Sequence, residues 1–242
     1  MKGPSEGSPL AGQVALVTGA SRGIGRATAT ALAACGARVG LVARDREALE
    51  LLARSLDGWA LPCDVTEPDE LARTLHGFEE AVGRTPDLVV VSAGVFSVEP
   101  IRELTAEELH RNLAVNLEAS ILTVRSVLPR LLDRGRGTIV LVGSIAGRRA
   151  FPGNASYSAS KFGLRGFHEV LLEELRGTGV RATLLEPAAT DTSIWDPLEP
   201  DEDPDLPDRD SMLRPEAVAD CIVFVAERED RVRIPFLAVE PG

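Results

Sequence analysis

One tyrosine and two lysines occur in the whole chain, and two of these three residues stand four apart, in Tyr157-Ser-Ala-Ser-Lys161. On a helix that spacing puts both side chains on one face, one turn apart. A phenol titrates near ~10, and a neighbouring ammonium stabilises the phenolate, which makes a general acid or base usable near neutrality. Apart from Lys2 the other basic residues are arginine, so a lysine retained beside the sole tyrosine marks the pair as chemistry rather than a solvated helix face. Thirteen positions upstream, Ser144 follows the apolar run Thr-Ile-Val-Leu-Val-Gly. Its hydroxyl sits where a strand ends and can polarise a carbonyl or hold a developing alkoxide. Asn116 lies inside the helical pattern Leu-His-Arg-Asn-Leu-Ala-Val-Asn, where asparagine is mildly unfavourable. It marks either a kink whose freed carbonyl holds a water near Lys161, or the cap of a broken helix.

A second constellation lies near the start, in Thr18-Gly19-Ala20-Ser21-Arg22-Gly23-Ile24-Gly25. Three glycines between a strand and an alanine-rich helix let the backbone approach a pyrophosphate, whose charge is held by the amides of the helix N-terminus. The spacing is GxxxGxG, and the context of first strand and first turn points to a dinucleotide. The second strand ends Ala43-Arg44-Asp45. Ala43 occupies the place of an acid that would read a ribose hydroxyl, and Asp45 is the cap of the next helix. Arg44 and Arg22 then clamp a 2′-phosphate, which favours NADP(H) over NAD(H).

These residues need a frame, and short apolar runs alternating with amphipathic stretches supply it. Strands are expected at 14–18, 39–43, 59–63, 88–92, 138–143, 181–186 and 234–239. Helices are expected at 23–35, 46–56, 67–82, 106–134, 156–176 and 215–228. Asp45, Thr66 and Thr105 read as N-caps, and Gly135 and Gly177 as residues that follow helix ends. Consecutive apolar positions in the strands suit a parallel sheet covered on both faces. The expectation is one α/β Rossmann-type domain over residues 1–242, with helices on both faces of the sheet.

Net charge is −11, from 37 acidic and 26 basic residues. The stretch Asp196–Asp210 holds eight acids and one arginine, a local net of −7. This Pro- and acid-rich segment reads as a substrate lid at about 193–213. Such a balance disfavours nucleic acid and anionic membranes as partners. No apolar run is long enough to span a bilayer, and Met1–Gln13 lacks the apolar core of a secretory signal. Three separated cysteines and three scattered histidines suggest neither a disulfide framework nor a metal site. A cytoplasmic location is the expectation.

Taken in order, TGASRGIG, the CDVT after the third strand, SAG after the fourth, an internal VN, the serine, YSASK and the turn after the sixth strand resemble the short-chain dehydrogenase/reductase family. The likeness runs from about Val14 to Val239. It implies a seven-stranded parallel sheet in the order 3-2-1-4-5-6-7 and a tetrad of Asn116, Ser144, Tyr157 and Lys161. In that family's mechanism the tyrosine exchanges a proton with the substrate oxygen, which the serine orients. The lysine lowers the tyrosine pKa and binds the nicotinamide ribose, and the asparagine supports a relay water. The resemblance also extends the cofactor contacts to Asp64, Val65, Ala93, Gly94, Pro187, Thr190 and Thr192, with Asp64 at the adenine and Thr192 at the carboxamide.

Two departures stand out. The family's NNAG reads Val91-Ser92-Ala93-Gly94, and its PGxxxT has Ala188 for glycine. The first should alter hydrogen bonds that steady the sheet, and the second should restrict the turn beside the nicotinamide.

Substrate walls are expected from Val95 and Phe96, from Ile145 to Phe151, and from the lid with Trp195; Phe96, Phe151 and Trp195 make them apolar or aromatic. With an acidic lid, a neutral ketone or aldehyde is favoured over an anion. The alternatives are an NADP+-linked alcohol dehydrogenase, a 3-oxoacyl thioester reductase and a non-catalytic redox sensor; the sensor would have lost the Tyr–Lys pair. Small residues along 156–176, with Phe162, Phe167 and Val170, suit helix packing and, with the resemblance, a homodimer or homotetramer.

Overall fold

The structure, a computed structural model, describes residues 8–242. The first seven residues of the Met1–Gln13 stretch lie outside it. Seven strands run β1 (Val14–Thr18), β2 (Arg38–Ala43), β3 (Trp59–Pro62), β4 (Leu88–Val91), β5 (Gly137–Val142), β6 (Val180–Pro187) and β7 (Phe236–Val239). They form one parallel sheet in the order β3-β2-β1-β4-β5-β6-β7, the expected order. Alternation along each strand feeds two cores. Ala15 and Val17 of β1 pack with α1 (Gly23–Ala34), α2 (Arg46–Leu56) and α7 (Pro215–Ala226) through Leu32, Leu49 and Ile222. Val14 and Leu16 face α3 (Pro68–Val82), α5 (Ala119–Arg134) and α6 (Ala155–Glu174), meeting Phe78, Val127 and Leu164. Burial on both faces is why the strands read as unbroken apolar runs.

The expected helix over 106–134 is three pieces: α4 (Ala106–Leu113), a π-helical segment Ala114–Glu118, and α5. The kink reading of Asn116 therefore holds, since a π-bulge is one of the few things that displaces a helix's hydrogen-bond ladder. Asp45 and Thr105 cap as expected, accepting from the Ala48 and Glu108 amides. Thr66 does not. Its amide and hydroxyl both donate to Asp64, and Glu67 holds the N-cap position with Pro68 starting the helix. Gly135 closes α5 in the left-handed conformation, whereas Gly177 lies beyond Leu175, the C-cap of α6.

Neither departure strains the backbone. In place of the missing asparagines, the buried Thr18 hydroxyl accepts from the Ser92 and Ala93 amides, 3.0 and 3.2 Å away. Among the described non-glycine residues only Asp57 and Glu199 have positive φ, so alanine costs nothing at 188. Its amide donates to the Val239 carbonyl, which ties the turn to the end of β7. No helix among the described residues is long and apolar enough to cross a membrane.

Candidate active site

A cavity of about 1150 Å³ runs along the carboxyl ends of the central strands, the place where open α/β sheets bind ligands. At one end lies the turn from β1 to α1. Gly19 adopts φ +69°, and a Cβ there would come within 2.8 Å of the Ala93 backbone, so the turn is pressed against the end of β4. A Cβ on Gly25 would overlap the Gly19 carbonyl oxygen. No side chain caps α1 and no acid occupies its first turn, which leaves that helix end open to an anion. Ser21, Arg22, Gly23 and Ile24 line the cavity here, with Arg44 from the end of β2.

Arg44 is largely exposed and stands 3.9 Å from Asp64; Arg22 is exposed, with no ion pair among the described residues. Burial works to raise the Asp64 pKa, but the Thr66 amide and hydroxyl and the Arg44 charge outweigh it and hold the carboxyl below its usual range. Asp64, Val65, Ala93 and Gly94 continue the same wall, and Pro187, Thr190 and Thr192 close it from the β6 side. The residues present thus fit a dinucleotide: a capless helix end, a turn that only glycine allows, and two guanidinium groups at the far corner.

At the other end the first turns of α6 bring Tyr157 and Lys161 under the Ser144 turn. Ser144 caps the short 3₁₀ turn Ile145–Gly147 by accepting from the Ala146 amide, and its side chain hydrogen-bonds Tyr157. Burial pushes the Tyr157 pKa up, and the Ser144 hydrogen bond offsets only part of that. Lys161 is 5% exposed; its Nζ donates to the Val142 carbonyl at 3.0 Å and lies 5.6 Å from the Tyr157 ring centre. Burial lowers its pKa to about 8. The expectation that Lys161 pulls the phenol down is therefore corrected for the chain without cofactor. Desolvation dominates both groups and favours their neutral forms.

Asn116 is fully buried and, unlike Ser144, Tyr157 and Lys161, does not line the cavity. Its side chain accepts from the Val95 amide and donates to the Val95 carbonyl and Ser160 hydroxyl, tying the chain after β4 to α6. Its main-chain oxygen accepts the Ser120 hydroxyl.

The aromatic expectations converge. Phe96 meets Tyr157 and Trp195 edge-on, with ring centres 4.8 Å apart in both pairs, and Phe151 lines the same cavity. The expected wall from Ile145 to Phe151 is interrupted, because Gly147, Arg148, Arg149 and Ala150 do not line the cavity and Arg148 turns away to Glu186 and Glu240. Val98, Pro100, Val115 and Asn154 join the lining without a signal in the sequence, since each is an ordinary residue of a connection or helix.

The acidic stretch folds back on the site. It makes 3₁₀ turns at Asp196–Leu198 and Arg209–Ser211. Arg209 lies between Asp191 at 2.6 Å, Asp196 at 2.7 Å and Asp201 at 3.8 Å. Asp203, Asp205 and Leu206 line the cavity.

A fold of this topology, with the glycine turn at one end of a cleft and Ser144, Tyr157 and Lys161 at the other, defines a nucleotide-dependent enzyme of the doubly wound class. The chain belongs to the short chain dehydrogenase family, whose model matches residues 13–203, and it is an NAD(P)-dependent oxidoreductase. It is 35% identical over 226 residues to D-threitol dehydrogenase from Mycolicibacterium smegmatis, covering 90% of this chain and 86% of that one. A 35% identity over 249 residues links it to glycine betaine reductase ATRR of Emericella nidulans; the match takes in 98% of this chain but only 19% of that much longer protein. Among solved structures, a metagenomic short-chain oxidoreductase in complex with NADP is 34% identical and superposes with a TM-score of 0.82, over 97% of this chain and 99% of that one.

Proposed function

We propose that this protein is an NADP(H)-dependent reductase that converts an uncharged ketone or aldehyde to the alcohol, with Tyr157 as the proton donor. The observation that carries the reading is that Ser144, Tyr157 and Lys161 share one cavity with the glycine turn and the two guanidinium groups of Arg22 and Arg44. When bound, NADPH supplies the hydride. Ser144 Oγ holds the carbonyl oxygen beside Tyr157 Oη, and the phenol gives its proton to the alkoxide as charge develops. A phenol whose pKa is pushed up by burial is fully protonated at neutral pH, as a donor must be. Lys161 lies under the tyrosine, where it orders the nicotinamide ribose and helps replace the donated proton. A relay water would meet Asn116 at its main-chain oxygen, beside the Ser120 hydroxyl that this oxygen accepts.

The aromatic triad Tyr157, Phe96 and Trp195 favours an apolar body on the substrate, and the carboxylates of Asp203 and Asp205 disfavour an anionic one. The Arg22 and Arg44 pair favours NADP(H). The same residues run the reverse reaction, so an NADP+-linked alcohol dehydrogenase is the second reading, favoured by the similarity to D-threitol dehydrogenase.

The test is loss of reduced-nicotinamide absorbance, with NADPH and NADH in parallel, against neutral ketones, aldehydes, quinones and 3-oxo thioesters. NADPH-dependent reduction of a neutral carbonyl is expected. Better use of NADH would overturn the cofactor assignment, and binding without turnover would favour a sensor.

Assembly as a homodimer or tetramer is proposed through the exposed Phe162 and Val170 of α6 and Leu109 of α4. Gly163 serves a different contact, since a Cβ there would lie 2.8 Å from Leu117. A monomeric mass by light scattering would exclude the assembly.

A further inference from the structure

Glu186 is the last residue before Pro187 in β6, and it is 3% exposed. In the β5–β6 register it stands one step beyond the Val142–Leu185 pair, and so beside Gly143 and the Ser144 turn. Its two carboxylate oxygens go to two different elements. One meets Arg165 at 2.7 Å, from α6, and the other meets Arg148 at 3.5 Å, from the chain just after the Ile145–Gly147 turn. Arg165 is one helical turn past Lys161 and two past Tyr157, on the same face of α6. Arg148 follows Ser144 by four residues and is itself held from outside by Glu240. The backbone at this junction is close: a Cβ on Gly147 would lie 2.9 Å from the Lys161 carbonyl oxygen.

We infer that Glu186 is a positioning residue for proton transfer, the buried node that holds the Ser144 turn against the Tyr157–Lys161 face of α6 and both against the turn at Pro187. Each of the three segments reaches the site as the end of a separate element. Within the described residues, Glu186 is where side chains from all three meet as charges. The carboxylate is the buried member of the cluster, so removing an arginine leaves Glu186 desolvated and short of a partner, whereas Arg148 and Arg165 keep Glu240 and Glu169 at their outer sides. Its geometry is therefore stiff, and stiffness is what the Ser144–Tyr157 hydrogen bond requires, since small misplacements at a reacting centre cost far more in rate than in binding.

This inference rests on the reading of Tyr157 as the proton donor, but it has a readout that needs no substrate. Tyr157 is the only tyrosine, so its ionisation can be followed directly by phenolate absorbance in the full chain, with and without NADP+. Lys161 on the same helix is the charged group that packs on that ring, Ser144 is its hydrogen-bond partner, and Asp203 and Asp205 line the same cavity. None of these is altered in the variants.

Glu186→Gln should move the phenol titration to higher pH, because the Ser144 hydrogen bond that favours the phenolate loosens. It should also lower kcat by about tenfold to a hundredfold with little change in cofactor affinity. Glu186→Asp should recover part of both. Arg148 is partly exposed, so Arg148→Ala spares the Glu186–Arg165 pair and serves if Glu186→Gln does not fold; the same upward shift is expected. An unmoved titration in a folded Glu186→Gln or Arg148→Ala, even with lower thermal stability, would make the triad merely structural and overturn the inference. Absence of turnover in the parent protein would overturn the proposed function alone, leaving the titration to decide this one.

Discussion

The two ends of the cavity are built on opposite principles. The end at the β1–α1 turn is made of backbone: Gly19 pressed on Ala93, Gly25 under Gly19, and a helix terminus without a side-chain cap. Among the described residues its positively charged side chains, Arg22 and Arg44, stand in solvent at the rim. The end at Tyr157 is made of side chains from at least four segments, with a buried lysine, three edge-packed aromatics and an acidic loop over the top. Backbone contacts of the first kind tolerate almost no substitution, because a Cβ has nowhere to go. Side-chain walls of the second kind vary at little cost to the fold, and that is where an enzyme of this family acquires its own substrate.

The largest effect should come from the chemical end. Tyr157→Phe removes one hydroxyl and keeps the ring that packs against Phe96. NADPH affinity should be unchanged by fluorescence titration, while turnover falls by about a hundredfold to ten-thousandfold, the usual worth of a positioned acid or base. Retained turnover would take Tyr157 out of the mechanism and erase the contrast between the ends.

A second effect follows from burial of charge. Lys161 has a folded pKa of about 8 against an ordinary 10.5. Between those values the unfolded chain binds more protons than the folded one, so this group makes stability rise with pH across the window; below about pH 8 its burial cost is constant. At 1.36 kcal/mol per unit the swing is about 3 kcal/mol. Lys161→Met should abolish that rise, measured as unfolding free energy in urea from pH 7 to 10.5. Equal slopes in both proteins would mean that the ammonium is better solvated than its surroundings indicate. Tyr157 acts in the opposite sense above its ordinary value of 10, equally in both proteins.

The cofactor end should respond less, and selectively. Replacing both Arg22 and Arg44 by alanine should raise KM for NADPH by about tenfold to a hundredfold, as exposed charge-assisted hydrogen bonds allow. Constants for NADH should stay put. An equal loss with both cofactors would show that the guanidinium groups serve something other than the 2′-phosphate.

The contrast also explains what could be read in advance. The sheet order came through the family resemblance, while the strands and the glycine turn were legible because they are contiguous and periodic. Tyr157 and Lys161 were legible because the chain is nearly empty of both types. Asn116 was read as a kink, yet the partners that fasten it, Val95 and Ser160, lie 21 and 44 residues away and leave no local trace. Val98, Val115 and Asn154 became cavity lining only through the path of the chain after β4 and the π-bulge. Thr66 misled because a threonine before an acid and a proline has the pattern of a cap, whereas its amide and hydroxyl donate back to Asp64 and the helix starts one residue later, with Glu67 at the N-cap.

The smallest effect expected is in the acidic loop, and it probes whether that loop belongs to the substrate end at all. Arg209 gathers Asp191, Asp196 and Asp201, and it is the only positive residue within Asp196–Asp210. Arg209→Gln releases three carboxylates that then repel one another, and the wall carrying Asp203 and Leu206 should loosen. Pairs this exposed are weak individually, so KM for an aromatic ketone should rise by no more than about fivefold, with kcat unchanged. Salt sharpens the test. The parent enzyme should drift toward the variant as ionic strength rises through ~0.15 M and beyond, because the same pairs are screened, while the variant stays flat. A fall in kcat instead would place the loop in the chemistry. Identical salt profiles would show that the clamp leaves the substrate wall unaffected, and the acidic loop would then belong to neither end.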